Sequence, residues 1–410
     1  MLNESVHYSN GTLYVDNVPA AAIAAQTGTP TYVYSKTRVL HNFHALQNAF
    51  AALNPHIHYS AKANANLALL RTLVDAGAGI DAVSAGEIAR ALAAGCSPEN
   101  IVFAGVGKTP DELRYAVEQS VGWFNVENVD ECRILSEIAG SQGKTARVAL
   151  RYNPDVQANT HPNIATGHKG AKFGLNRDDL LYVLENRASY PNITIEGLHV
   201  HVGSQLGDTA ATVAGVNAAL EIMREYPPLQ TLNIGGGFPA QYTDDDLPDY
   251  TTFAQALYPL LKDYHVIIEP GRSIVADAGI LLARVLYVKE QGGVTLYIVD
   301  GSMTELMRPA LYGAHHAIVP LQENPATAPI TIVGPVCETT DVLGRDVALP
   351  TMSHGDLLAI LDAGAYGMVM ANTYNQRPRP AEVLVDGDAW QVVRKRETLA
   401  DLIRAEVENA

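Results

Sequence analysis

A lysine closes an apolar, strand-like run near the N-terminus. Lys62 follows His58-Tyr-Ser-Ala and precedes Ala63-Asn64. Lysine is rarely buried without a partner, so Lys62 is either an ordinary solvated strand end or a desolvated amine that can form an imine with a carbonyl group. Asp81 ends the next strand-like run, where its carboxylate either caps a helix or pairs with the Lys62 ammonium.

Three later strand ends also carry residues that can do chemistry. His199 and His201 point to one side of a strand, and they suit either a metal pair or a ring stacked on a flat ligand. Gly235–Gly237 form either a tight turn or a cradle of N–H groups for a phosphate. Glu269 is either a structural partner of Arg272 or a carboxylate that keeps a ring nitrogen protonated.

Together these strand ends offer an amine, an aromatic ring, a phosphate cradle and a buried carboxylate. Pyridoxal phosphate requires all four of these groups. Their joint occurrence at successive strand ends is more specific than any one of them, and it favours a pyridoxal-phosphate site.

The elements that would position these residues alternate between strand-like runs and helical patterns. Eight runs are found, at Ile57–Lys62, Gly79–Val83, Ile101–Ala104, Trp123–Val126, Arg147–Arg151, Ile193–Val202, Leu229–Gly235 and Val266–Glu269. Capping-box patterns at Ser84/Glu87 and Thr109/Glu112 mark two helix starts between them. Eight such units over about 215 residues predict a TIM barrel; an open doubly wound sheet is the alternative, and it usually needs fewer strands.

The pattern changes after Arg272, where β-like runs alternate with turns. They lie at Ile280–Lys289, Val294–Val299, Ile330–Val333, Leu357–Leu361 and Glu382–Val385. We therefore predict a C-terminal all-β domain over residues 272–410 and a TIM-barrel cofactor domain over 31–271. The strand-like segment Gly11–Ala21 places residues 1–30 with the β domain.

Composition narrows the possible partners. The chain has 410 residues and a net charge of −16, which disfavours nucleic acid and anionic membranes as partners. The three cysteines are odd in number and widely spaced, so they suggest a reducing cytoplasm and no metal site. Residues 155–174 show no apolar period, and they are either a lid or a disordered surface insertion.

Seven ordered motifs resemble one known family. They are YSAKAN at 59–64, HVHVGSQ at 199–205, GGG at 235–237, EPGRS at 269–273, MRPALY at 307–312, GPVCETTD at 334–341 and DAGAYG at 362–367. These motifs are similar to those of the barrel-type pyridoxal-phosphate decarboxylases and, within them, of the diaminopimelate decarboxylases. The resemblance covers nearly the whole chain, and it implies release of CO₂ from meso-diaminopimelate to give L-lysine.

The resemblance also implies how the cofactor, pyridoxal 5'-phosphate, is held. Lys62 would carry it as a Schiff base, His201 would stack on its ring, and Glu269 would pair with its ring nitrogen. The other residues placed around the cofactor are Asp81, Ser204, Gly235, Gly236, Gly237, Gly271, Arg272 and Tyr366.

Substrate recognition follows from the same resemblance. Arg272, Arg308, Tyr312 and Tyr366 would bind the substrate, the arginines and Tyr312 at its distal carboxylate. Glu338 would bind the distal amine. Cys337 would donate a proton to the α-carbon, reaching the site of the other subunit in a homodimer with shared active sites.

The chain departs from the family's usual pattern at three places. Thr339-Thr340 stand where two serines are common, and the sequences at 300–305 and at Phe238-Pro239 differ from the common forms. These departures bear on substrate choice. The rival functions are a decarboxylase for another amino acid, a racemase and a non-enzymatic binding protein of this fold.

Overall fold

The N-terminal residues build a small antiparallel sheet. In the computed structural model, which describes all residues except 158, 161–165, 169, 327 and 408–410, this sheet contains β1 (Val6–Ser9), β2 (Thr12–Val15) and β3 (Val18–Pro19). It is followed by α1 (Ala20–Thr27), β4 (Thr31–Ser35) and α2 (Lys36–Ala49). The predicted strand at Gly11–Ala21 is thus two short strands that end where α1 begins.

Eight parallel strands close into a barrel, as the alternating pattern predicted. They are β5 (His56–Ser60), β6 (Gly79–Ala82), β7 (Ile101–Phe103), β8 (Trp123–Val126), β9 (Ala146–Arg151), β10 (Ile193–His199), β11 (Thr231–Asn233) and β12 (His265–Ile268). Because β12 pairs with β5, the sheet has no free edge, and the open doubly wound alternative is wrong.

Helices alternate with the barrel strands. They are α3 (Leu67–Asp75), α4 (Ala85–Ala93), α5 (Pro110–Glu118), α6 (Val129–Ser141), α7 (Arg177–Glu185), α8 (Ala210–Glu225) and α9 (Tyr250–Leu261), with the single turn α10 (Arg272–Val275) after β12. Buried apolar side chains from four strands, Val102, Trp123, Ala149 and Ile267, pack together inside the barrel. The barrel is therefore a filled core, and chemistry is left to its ends.

The two predicted capping boxes differ in their detail. At α5, Thr109 accepts from the Glu112 N–H while the Glu112 carboxylate accepts from the Thr109 N–H, so this box is confirmed. At α4, Ser84 accepts from the Glu87 N–H, but the Glu87 carboxylate accepts from the N–H of Val83 instead. The predicted start of α4 is thus correct, but the reciprocal capping box does not form there, because the Glu87 carboxylate binds the N–H of Val83 and not that of Ser84.

The eight remaining strands join β4 in a nine-stranded sheet. They are β13 (Gly279–Gln291), β14 (Val294–Val299), β15 (Ile318–Pro320), β16 (Ala328–Val333), β17 (Val342–Leu349), β18 (Leu357–Ile360), β19 (Ala381–Asp386) and β20 (Ala389–Arg394), with α11 (Arg308–Tyr312) and α12 (Leu399–Val407). The N-terminal strand β4 lies inside this sheet, antiparallel to β13 and parallel to β19. The prediction of a β domain completed from the N-terminus is confirmed, but the strand that enters its sheet lies at residues 31–35, within the stretch predicted for the barrel, while β1–β3 form a sheet of their own.

The chain divides into two compact units. The β-rich unit comprises Met1–His41, Ala240–Asp245 and Ile274–Ala410, and the barrel unit comprises Asn42–Pro239 and Asp246–Ser273. The predicted domain boundaries after residues 30 and 271 stay predictions. Among the described residues, no helix combines the length and the apolar character needed to cross a membrane.

A tight backbone contact next to β8 gives a test of the barrel packing. A Cβ atom on Gly122 would lie 2.0 Å from the carbonyl oxygen of Glu99. We expect Gly122→Ala to destabilise the protein by about 1–3 kcal/mol, because backbone must move to admit the methyl group. Gly86, within α4, has its nearest neighbour 3.7 Å from a Cβ. Gly86→Ala should raise stability by up to about 1 kcal/mol. Thermal unfolding of both variants is the measurement, and equal midpoints would contradict this account.

Candidate active site

Lys62 lies just beyond the carboxyl end of β5, in a single 3-10 turn formed by Ala61–Ala63. Its Nζ atom is 2.9 Å from Oδ2 of Asp81, and its side chain is 38% exposed. Asp81 is fully buried at the end of β6, where the parallel register pairs it with Ser60. The Ser60 hydroxyl donates to the same Asp81 oxygen over 2.6 Å. Lys62 is therefore held by a buried carboxylate and is not an ordinary solvated strand end.

Burial raises the pKa of Asp81, while the Lys62 ammonium and the Ser60 hydrogen bond act in the opposite direction. A carboxyl whose pKa is raised can take up a proton more readily than an exposed aspartate. Because Asp81 lies within hydrogen-bond distance of the Lys62 amine, the pair can hold or release a proton at Nζ.

Glu269 follows β12 and is also buried. Its Oε1 atom accepts from the side-chain amides of Asn125, over 3.0 Å, and Asn233, over 2.6 Å. Its Oε2 atom is 3.4 Å from Nε2 of His199. Burial by itself raises the pKa of the Glu269 carboxyl, but His199, Lys62 and Asn233 outweigh burial and hold this pKa well below its usual range. The site therefore contains a fixed, ionised carboxylate.

The predicted alternative of a structural pair between Glu269 and Arg272 is not what the geometry shows. Arg272 donates from Nε and Nη2 to the hydroxyl of Ser204, over 3.3 and 3.1 Å. Gly271, between them in the chain, approaches the turn that carries Lys62: a Cβ there would lie 3.0 Å from the Cβ of Ser60. The small residue lets the segment after β12 pack directly against the lysine turn.

The glycine loop after β11 passes too close to its neighbours to carry side chains. A Cβ on Gly236 would lie 2.2 Å from the Glu269 carbonyl oxygen, and one on Gly237 would lie 2.6 Å from that of Gly203. Gly235 and Gly237 also have positive φ angles, of 66° and 100°. Such a concave glycine loop suits a phosphate, and in this structure the N–H of Gly235 donates to Oδ1 of Asn233 and that of Gly236 to Nδ1 of His201.

The two histidines at and just beyond the carboxyl end of β10 lie in different surroundings. His199 is buried beside Glu269, whereas His201 lies past the strand end, where its Nδ1 atom accepts from the N–H of Gly236 over 3.3 Å. Burial and the charges of Arg151 and Lys62 hold the pKa of His201 well below its usual value, so its ring is neutral. Within the described part of the chain, no three His, Cys, Asp or Glu side chains form a metal site. A neutral ring beside the glycine loop suits stacking on a flat ligand.

Two asparagines and an ion pair in this site were not predicted. Asn125 and Asn233 orient Glu269, and each is a polar residue inside a buried strand, which is the signal that could have revealed them. At the ends of β8 and β9, Arg151 and Glu127 form a buried ion pair of 2.5 Å. Such a pair needs its other oxygen satisfied, and the Glu127 carboxylate also accepts from the N–H of Gly174.

The Glu127–Arg151 pair contacts the end of the segment predicted as a lid, at Phe173 and Gly174. The guanidinium of Arg151 lies 4.7 Å from the ring centre of Phe173, and the Asn153 side chain donates to the carbonyls of His168 and Phe173. These described residues are anchored to the barrel. Residues 158, 161–165 and 169 of the predicted lid lie outside the described residues.

The departure at Phe238 has a structural explanation. Its ring packs edge to face against Phe50, Tyr250 and Phe253, with ring centres 5.1–5.7 Å apart. Phe238 is buried and immediately follows Gly237. It therefore anchors the end of the glycine loop to Phe50, just after α2, and to α9 by apolar burial.

The other predicted site residues belong to the β-rich unit. Arg308 is buried at the start of α11, and Tyr312 is half-buried at its end. Cys337 and Glu338 are exposed; the N–H of Cys337 donates to the Asn375 side chain, and Glu338 accepts from the hydroxyl of Tyr374. Tyr366 has a φ of 55°, a left-handed conformation that is uncommon for tyrosine.

The barrel residues fit the groups of pyridoxal phosphate. The glycine loop is a cradle that a Cβ would fill, and Lys62 supplies an amine beside a buried acid. The site also has buried polar atoms available for further bonds, because Oδ1 of Asp81 and Oδ1 of Asn125 have no hydrogen-bond partner among the described residues. An amine, a phosphate cradle and an ionised carboxylate therefore lie together at the carboxyl ends of the barrel strands.

Known proteins share this sequence and fold. The family of the pyridoxal-dependent decarboxylase pyridoxal binding domain matches residues 36–276. Diaminopimelate decarboxylase of Zymomonas mobilis is 42% identical over 97% of both chains. The enzyme of Neisseria meningitidis serogroup B is 44% identical over 95% of both chains.

A solved structure agrees with these relatives. Diaminopimelate decarboxylase from M. jannaschii, in complex with L-lysine, superimposes with a TM-score of 0.94 at 35% identity, over 99% of both chains. Such identity over almost the full length covers the barrel, the β-rich unit and every motif described above. The chain therefore belongs to the pyridoxal-dependent decarboxylases and, within them, to the diaminopimelate decarboxylase family.

Proposed function

We propose that this protein converts meso-2,6-diaminopimelate to L-lysine and CO₂, the last step of lysine biosynthesis, with pyridoxal 5'-phosphate as its cofactor. The observation that carries the proposal is the Lys62–Asp81 pair at the same barrel end as the ionised Glu269. The chain is also more than 40% identical to diaminopimelate decarboxylases along nearly its whole length.

The barrel unit supplies the cofactor's electrostatic environment. When bound, pyridoxal phosphate supplies a ring that accepts the electron pair left on the α-carbon as CO₂ departs. Glu269 would hold a proton at the ring nitrogen, since its carboxylate is buried, ionised and fixed by two asparagine amides. A fixed negative charge in a buried site is more effective there than in water.

Lys62 would attach the cofactor through its amine, and its partner Asp81 would manage the proton. The Lys62 nitrogen must be neutral before it can bond to an aldehyde carbon. Asp81 Oδ2 lies 2.9 Å from that nitrogen, and burial raises the pKa of Asp81, so the carboxylate can accept the departing proton. Ser60 would keep the carboxylate oriented throughout.

The remaining barrel residues would hold the cofactor's face and its phosphate. His201 would lie against the ring, oriented by the N–H of Gly236. The glycine loop Gly235–Gly237 and the Ser204 hydroxyl would hold the phosphate end, and we propose that Tyr366 joins them. Gly271 and Arg272, which donates to the Ser204 hydroxyl, would also lie beside the cofactor. Glycine-rich loops and hydroxyl groups are common binding elements for phosphate oxygens.

Substrate recognition requires a site for a second zwitterionic end. We propose that Arg272, Arg308 and Tyr312 bind the distal carboxylate and that Glu338 binds the distal ammonium. Arginine suits the first task because its planar guanidinium can bind both oxygens of a carboxylate. Glu338 supports the second because its carboxylate is exposed and already oriented by the Tyr374 hydroxyl, over 3.0 Å.

We propose that Cys337 protonates the α-carbon after CO₂ leaves, and that it does so in the other subunit of a homodimer. Its thiol is exposed on the surface of the chain, which suits a group that serves a neighbouring subunit. We further propose that the protein works in the cytoplasm and binds no nucleic acid. Three free cysteines and a net charge of −16 support these two inferences.

The substrate can be tested directly on the cofactor-loaded enzyme. With meso-diaminopimelate we expect equal amounts of CO₂ and L-lysine, measured by gas release and by amino-acid analysis. L-ornithine and L-lysine should release little CO₂, since neither has a second carboxylate for the arginines. Turnover of ornithine but not diaminopimelate would point to another decarboxylase, and an epimerised product without CO₂ would point to a racemase.

Replacement of Lys62 tests how the cofactor is held. Lys62→Ala should abolish the absorbance band of the lysine-bound cofactor near the violet edge of the visible spectrum, because no other amine is proposed to attach it. Lys262→Ala removes an exposed lysine that follows α9 and should leave the band unchanged. Survival of the band in Lys62→Ala would show that another group binds the cofactor.

Replacement of Cys337 tests the proton donor. Cys337→Ala should lower kcat by about 10²–10⁴-fold, the usual effect of losing a positioned acid, while the absorbance band persists. Cys132→Ala, at a buried thiol in α6, should retain activity. Undiminished turnover in Cys337→Ala would remove this residue from the mechanism.

Mixing the two inactive variants tests the shared site. A heterodimer of Lys62→Ala and Cys337→Ala subunits has one site that contains both intact residues, provided that Cys337 acts across the dimer. Random reassociation should then restore about a quarter of the wild-type activity. If the mixture stays inactive although mass spectrometry detects heterodimers, Cys337 acts within its own chain.

A further inference from the structure

Arg308 is embedded among aromatic and imidazole rings of the β-rich unit. It is 7% exposed, and its Nη1 atom is 2.9 Å from Nε2 of His316. Its guanidinium carbon lies 4.5 Å from the ring centre of Tyr242. The rings of Tyr242 and His316 also meet each other, edge to face, with centres 5.6 Å apart. The three side chains therefore form one contiguous cluster.

The hydrogen bonds of His316 fix its tautomer. Its Nδ1 atom is 2.8 Å from the carbonyl oxygen of Leu361, and a carbonyl can only accept. Nδ1 must therefore carry the hydrogen, so Nε2 presents its lone pair to the guanidinium of Arg308. The imidazole is thus fixed by the Leu361 carbonyl and in turn accepts a hydrogen bond from one N–H group of Arg308.

His316 is neutral under ordinary conditions. Burial, and next the positive charge of Arg308, lower the pKa of His316 to about 3. A neutral acceptor orients a guanidinium without adding a negative charge next to it. A carboxylate in the place of His316 would compete with any anion that Arg308 is meant to bind.

We propose that His316 and Tyr242 are positioning residues that orient the Arg308 guanidinium for the substrate's distal carboxylate and so contribute to the selection of amino acids with a second carboxylate. This inference rests on the proposed function, in which Arg308 binds that group. An arginine side chain loses much rotamer freedom when it is fixed, and fixing it in the free enzyme removes that loss from the binding step.

The test compares two ligands that differ only in the carboxylate concerned. L-lysine carries it, and cadaverine is the same diamine without it. In His316→Leu, both hydrogen bonds of the imidazole are lost, and we expect the inhibition constant of L-lysine for the cofactor-loaded enzyme to rise about tenfold. The inhibition constant of cadaverine should change less than about twofold, since no carboxylate interaction is involved.

Conservative and control variants separate orientation from general damage. His316→Gln can still donate to the Leu361 carbonyl and accept from Arg308, so it should bring the L-lysine constant back to within about threefold of wild type. Tyr242→Leu removes the ring under the guanidinium and should raise the L-lysine constant about three- to tenfold, whereas Tyr242→Phe, which keeps the ring, should restore it. His315→Gln, at the exposed neighbour of His316, should match wild type.

With meso-diaminopimelate as substrate, His316→Leu should raise KM about tenfold and change kcat less, because the lost interaction is present before and during the reaction. Equal weakening of L-lysine and cadaverine, or no change in either, would overturn the inference. If His316→Leu does not fold, Tyr242→Leu makes the same comparison.

The outcome is distinguishable from failure of the proposed function. Absence of diaminopimelate turnover by the wild-type enzyme would refute that function. The two inhibition constants can then be replaced by dissociation constants, measured from spectral titration of the bound cofactor with L-lysine and with cadaverine. A carboxylate-dependent loss in His316→Leu would still support the positioning role, and its absence would still refute it.

Discussion

The buried carboxylate of Asp81 is the constraint around which the mouth of the barrel is organised. A carboxylate removed from water is destabilised unless a cation and hydrogen-bond donors satisfy it. Lys62 and Ser60 do so, at 2.9 and 2.6 Å, and both come from the neighbouring strand and the turn that follows it. The parallel register that pairs Ser60 with Asp81 therefore also determines where the Lys62 amine lies.

Glu269, after β12, is a second buried carboxylate that needs hydrogen-bond donors from other strands. Its carboxylate is held by Asn125 and Asn233, which come from β8 and β11. Three strands of a closed barrel are thus needed to fix one charged group. Neutral amides satisfy the carboxylate without cancelling its charge, so it remains available to act on a ligand. An ionised glutamate in a buried site is a poor structural element but a useful chemical one.

The β-rich unit uses a related arrangement at Arg308. There a buried cation is held by a neutral imidazole and an aromatic face, and neither contributes a negative charge. Glu269 and Arg308 are thus both oriented by hydrogen bonds from or to uncharged partners, whereas Lys62 is held by the charged Asp81. Full ion pairs also occur at this end of the barrel: Arg151–Glu127 joins the ends of β9 and β8, and Lys108, after β7, pairs with Glu131 of α6.

The sequence alone was sufficient for the architecture and for most of the candidate site. Short apolar runs that alternate with helical patterns predicted all eight barrel strands, because each strand is short and buried. Lys62, Asp81 and Glu269 could be found because charged residues at the ends of apolar strands conflict with the local pattern. The glycine loop was visible for a similar reason: three consecutive glycines have no role in a strand.

Only the tertiary structure decided the contacts between residues that lie far apart in the chain. Nothing local links Asn125 with Glu269 or His316 with Arg308 and Tyr242. Phe238 likewise gains its packing only from Phe50 and α9. The choice between a solvated and a paired Lys62 was open for the same reason. A strand's own sequence specifies which residues are buried, but barrel closure and register specify which buried residues meet.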